Sequence, residues 1–143
     1  MRYRIELKSI FANDETGRGP TLDTLRDSIK AYCQSHKGYI IKHDSFYDYR
    51  YDTMQTGYSV VDERKIYGTA IGAKIEDDKI FVNIDIGDNI KVPDKNILFY
   101  RAKMSSSTIG GVLDNMEIIA IDLIEIRPSD KIPDDNLSTI ITE

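Results

Sequence analysis

The chain has 143 residues, 41% hydrophobic and 30% charged, enough for one core and too short for a multidomain enzyme. Nineteen basic against 24 acidic residues leave a net charge of −5, a field that repels phosphate backbones and argues against a nucleic-acid partner. No apolar run reaches the roughly 18 residues of a membrane span, and the opening Met1-Arg2-Tyr3-Arg4-Ile5-Glu6 lacks the apolar stretch of a secretion signal.

The single cysteine, Cys33, cannot close a disulfide within the chain, which suits a reducing setting; the expectation is a cytoplasmic or virion protein, neither secreted nor membrane-bound. Aliphatic residues are biased, with 22 Ile against 7 Leu and 5 Val. That bias favours strands, because the β-branched side chain suits a pleated surface, and it matches an AT-rich microbial or viral genome.

In chain order, Tyr3, Ile5 and Leu7 alternate with Arg2, Arg4, Glu6 and Lys8, the pattern of a strand with one buried side. Residues 12–20 are polar. Thr21 then stands as N-cap of a helix over 21–37, whose Leu22, Leu25, Ile29, Tyr32, Cys33 and His36 share one face and which Gly38 stops. Tyr39-Ile40-Ile41 resumes a strand, and Tyr47, Tyr49 and Tyr51 alternate with Asp48, Arg50 and Asp52 as in another. Tyr58 to Val61 reads as a strand too. Ile66–Ile75 and Lys79–Ile86 make a hairpin about Glu76-Asp77-Asp78, with Ile80, Val82, Ile84 and Ile86 on one face. Ile97–Met104 is a strand, residues 105–111 a small-residue loop, and Met116–Ile126 a strand apolar on both faces and therefore central.

The architecture expected is α+β: a mostly antiparallel sheet of about six strands with one main helix packed on it. Residues 1–128 form the domain. Residues 129–143, with Pro133 inside and Leu137, Ile140 and Ile141 near the end, read as an arm that buries those side chains elsewhere and whose removal leaves the fold intact.

For chemistry, the loop with Gly17, Arg18, Gly19 and Thr21 precedes a helix start, where backbone N–H groups can hold a small anion or a nucleotide phosphate. It lacks the Gly-Lys-Ser/Thr ending of a P-loop, and Pro20 removes one donor. Asp44, Asp48 and Asp52 form no tight calcium loop, and two histidines with one cysteine make no zinc motif, so no metal or cofactor is expected. Cys33 lies on the apolar helix stripe as a small core residue. Regular alternation faces Asp122 opposite to Glu117 and Glu125, with no basic residue within 114–126, so an ion-paired or solvated role is expected for these acids. Ser105, Ser106, Ser107 and Thr108 with His43 supply the parts of a serine–histidine pair. The loop-then-strand ending, Ser105-Ser106-Ser107 before Ile118 to Ser129, resembles the tail of phage prohead serine proteases over the last quarter of the chain. The resemblance implies a serine hydrolase, although the basic residue which that family carries after its nucleophile is absent here.

The leading expectation is a non-enzymatic interaction or assembly subunit, possessing a protein partner or associating with itself through Tyr47, Tyr49, Tyr51, Leu137, Ile140 and Ile141. The anion binder and the hydrolase are the alternatives.

Overall fold

The computed structural model describes residues 1–8, 20–35, 37–55, 57, 60–107 and 113–143. The elements run β1 (Arg2–Glu6), α1 (Leu22–Ser35), β2 (Tyr39–His43), α2 (Phe46–Gln55), β3 (Ile66–Glu76), β4 (Lys79–Ile86), β5 (Asn96–Ser107), β6 (Leu113–Glu125) and β7 (Ile140–Thr142). The seven strands join one sheet in the order β5-β6-β2-β3-β4-β1-β7. Every pairing is antiparallel except β2 against β6. The α+β class with a mostly antiparallel sheet is therefore what the sequence led us to expect, with one strand more and a second helix.

Local chemistry explains the main elements. Thr21 caps α1, its Oγ1 accepting from Thr24 N at 3.1 Å. Leu25, Ile29 and Tyr32 are buried on the inner stripe with Cys33 packed beside them, and burying Leu25 and Ile29 stabilises by roughly 1.5–3 kcal/mol apiece. Gly38 is left-handed, φ 65°, and a Cβ there would stand 2.4 Å from the Ala70 carbonyl oxygen, so the helix stop requires glycine. Asp77 and Asp78, φ 50° and 60°, make the two left-handed residues of the β3–β4 connection, a conformation that matches strand twist and that aspartate tolerates.

The sheet coils around α1 until its ends approach. Leu7, just past β1, forms a parallel bridge with Leu98 of β5, and Lys8 N donates to Leu98 O at 2.8 Å. A bulge lets β6 serve both faces: Arg101 pairs with Ala120 and Ala102 with Ile118, leaving Ile119 as the extra residue. Ile118, Ile121 and Leu123 therefore all reach the interior with α1, while Ile124 joins Tyr49, Ile97 and Ile126 in a second cluster on the outer face. The same bulge corrects the facing of the acids, because Glu117 lies on the outer side with Asp122 rather than opposite to it.

Three local expectations are corrected. The segment 47–51 is helix, not strand: Ser45 O accepts from Tyr49 N at 3.1 Å and Ser45 Oγ from Asp48 N at 3.0 Å, starting α2. Helical spacing then turns Phe46 and Tyr49 inward against Ile97 and Ile124, and leaves Tyr47 and Tyr51 exposed at 70% and 54%. Val60 and Val61 are irregular, and residues 58–59 lie outside the described ones. Residues 129–143 do not leave the domain. Leu137 packs on the outer cluster and Ile140 on the interior one. Ser138 N donates to Asn96 O at 2.9 Å, Ser138 Oγ accepts from Leu98 N at 2.9 Å, and β7 pairs with β1 through Ile141 and Arg4. The reason is the seam: β1 and β5 carry backbone groups that the tail satisfies.

Deleting 137–143 should therefore destabilise the fold by about 2–4 kcal/mol, from two half-buried side chains and several backbone hydrogen bonds. Chemical denaturation checks this, and an unchanged unfolding midpoint would return the segment to the status of a dispensable arm.

Candidate functional site

Asp122 lies on the outer face of β6 and is 0% exposed. A buried carboxylate must be matched by donors, and it has three. Arg101 of β5 holds it with two bonds, Nε to Oδ2 and Nη2 to Oδ1, both 2.9 Å. His43, at the end of β2, places Nε2 2.8 Å from Oδ1. The third Arg101 nitrogen, Nη1, donates to Val60 O at 2.7 Å and ties the 60–65 segment to the sheet. Since both Asp122 oxygens accept from a guanidinium, His43 must carry its hydrogen on Nε2, and in the neutral ring Nδ1 is left as an acceptor.

Helix α2 completes the environment. Tyr49 stands edge-on to the His43 ring with centroids 5.0 Å apart. Asp52, one turn further on, brings Oδ2 to 3.9 Å from His43 Nδ1, too long for a hydrogen bond. Nδ1 is shielded from solvent and has no hydrogen-bond partner among the described residues. Asp52 Oδ2 accepts instead from Lys65 Nζ at 2.9 Å, and that bond raises the Lys65 pKa. On the inner side of the sheet, burial and then the negative charge of Asp122 push the Tyr32 hydroxyl up to about 12.

Above this cluster opens a pocket of about 650 Å³, with Ile41, Val60 and Val61 as apolar lining and His43, Asp52 and Arg101 as polar lining. Its size suits a small molecule. Buried charges and an unsatisfied imidazole nitrogen under a cleft are the usual physical marks of a binding or reaction site. Among the described residues no group of three or more His, Cys, Asp or Glu is placed to hold a metal ion, and no helix is long and apolar enough to cross a membrane.

The residues singled out from sequence fare unequally. Gly17, Arg18 and Gly19 lie outside the described residues, and Thr21 uses its hydroxyl as the α1 cap. The backbone register separates Ser105–Ser107 from His43. His43 is level with Ile124, whose partner in β5 is Ile97, and eight residues of strand at about 3.3 Å each put the serines roughly 25 Å away. At the level of the backbone the expected serines and His43 thus stand far apart on the sheet; Thr108 lies outside the described residues. Cys33 is half-buried in the α1 stripe, and burial pushes its thiol up. Of the expected interface residues, Tyr49, Leu137 and Ile140 are spent on internal packing.

Arg101 and Lys65 escaped sequence reasoning. Part of the signal for Arg101 was present, since a lone acid in a strand apolar on both faces needs a cation from a neighbour, but the Ile119 bulge is what sets Arg101 diagonal to Asp122.

Arg101→Met should cost about 3–5 kcal/mol, because it strands a buried carboxylate, and adding Asp122→Leu should recover part of that loss. Urea unfolding of the single and double variants measures both; a single-variant cost under about 1 kcal/mol would mean that the pair is not a buried ion pair. Comparison with known protein families, curated proteins and solved structures finds no match to this chain.

Proposed function

We propose that this chain is a binding protein for a small polar molecule, taken up in the pocket over His43. One observation carries the reading: His43 lines an open pocket, its Nδ1 is buried without a hydrogen-bond partner among the described residues, and Asp122, itself anchored by Arg101, fixes the ring. An unpaired buried acceptor costs free energy that a ligand donor returns. The function is binding and not catalysis in this reading, exercised in a cytoplasmic or virion setting. A screen of acids, amines, nucleosides and sugars by thermal shift should find compounds that stabilise the wild type by several degrees and leave His43→Gln unmoved. If every stabilising compound acts equally on His43→Gln, the pocket is not the site.

A second reading, an interaction or assembly subunit, is supported by Tyr47 and Tyr51. These two exposed rings stack on α2 with centroids 6.4 Å apart, and tyrosine supplies large contact area at low entropic cost. In this reading a protein partner or a second copy, viral or cellular, covers α2. Light scattering should then give a mass above the monomer that falls in the Tyr47→Ser/Tyr51→Ser variant. A monomeric wild type would restrict the reading to a different protein as partner.

A further inference from the structure

Resting on the pocket reading, we infer that the ligand carries a protonated nitrogen head, an ammonium or amidinium, bound by Asp52 and His43 Nδ1, on a short apolar body that lies against Ile41, Val60 and Val61. Hydrogen-bond chemistry is the first argument. The Asp122 contact commits His43 Nε2 as donor, so the unsatisfied Nδ1 asks for a donor from the ligand. Asp52 Oδ2, 3.9 Å away, is a second acceptor, and one donor centre can reach both at ordinary hydrogen-bond length.

Charge is the second argument. Each permanent cation at the pocket already faces an acid: Arg101 with Asp122, Arg64 with Asp62 and Lys65 with Asp52. Glu63 is a third carboxylate of the lining, and with Asp122 buried beside it four acids stand against three cations. An anion would thus enter a net negative field, and a cation a favourable one.

The chain itself already supplies an ammonium to Asp52. Lys65 Nζ sits 2.9 Å from the same Asp52 oxygen that neighbours Nδ1, without bonding Nδ1 itself, so an ammonium already pairs with one of the two acceptors. Lys65 is 40% exposed, and the Glu63–Lys65 turn that carries it buries no residue. An exposed ion pair of this kind contributes little net stability, so a ligand head can replace it. Lys65 is then an internal competitor, and removing it should tighten binding.

The test uses the full chain, isotopically labelled and near neutral pH, with the His43 ring nitrogens assigned by comparison with His43→Gln. The probes are n-butylammonium and benzamidinium, set against n-butanol, butyrate and tetramethylammonium. The expected result is a saturable shift of His43 Nδ1 with the first two only. Binding should be about tenfold weaker in Asp52→Asn, the scale of one lost charge-assisted contact, and tighter in Lys65→Met. A saturable response of the pocket to butyrate with butylammonium silent overturns the nitrogen head and leaves the pocket reading standing. An equal response to tetramethylammonium, which has no N–H, overturns the role of His43 as acceptor. If no probe perturbs His43, or if Lys65→Met does not tighten binding, the inference fails, while the broader ligand screen still decides the pocket.

Discussion

Burying an ionised carboxylate costs several kcal/mol unless donors surround it. Asp122 is fully buried in the strand between β5 and β2, so its neighbours are constrained before any other feature of the outer face is. Arg101 must arrive from one side with its planar fork aligned, which holds the β5–β6 register above the Ile119 bulge. His43 must arrive from the other side with hydrogen on Nε2, and the orientation of the ring follows. Val60 is drawn in by the remaining guanidinium nitrogen, and the 60–65 segment with it. The pocket wall is in this sense a consequence of satisfying one charge.

The sheet divides the molecule into two chemical environments. Its interior, wrapped round α1, is aliphatic and needs only volume and shape. Its outer face combines a small aromatic and aliphatic cluster under α2 with the ionic cluster beside it. Tyr49 belongs to both, packing on Ile97 and Ile124 while closing over the His43 ring. Loss of α2 packing would therefore disturb the chemistry of His43 without touching the Asp122 pair. The seam between β1 and β5, laced by Ser138 and β7, stands apart from the site and serves closure of the sheet.

Much of this was legible in the residues alone. Period-two runs in 2–8 and 79–86 marked strands, the Thr21 cap and Gly38 stop bracketed α1, and Asp77-Asp78 marked the hairpin, because each signal is local and its physical cause lies within a few residues. The Tyr47–Tyr51 alternation misled for a complementary reason. A Tyr/Asp repeat satisfies period two on paper, but Ser45 offers a helix cap and the outer cluster rewards Phe46 and Tyr49 at helical spacing.

By itself, then, the sequence determined the class of fold and the inner helix, since burial of apolar side chains at the right period leaves little choice. Only the tertiary structure decided which polar residues meet. His43, Asp52, Lys65, Arg101 and Asp122 come from β2, α2, a turn, β5 and β6, and no spacing along the chain brings five such elements together. The fate of the tail was likewise undecided, because a strand of three residues has no period to read, and its place depends on a seam that exists only once the sheet has curled.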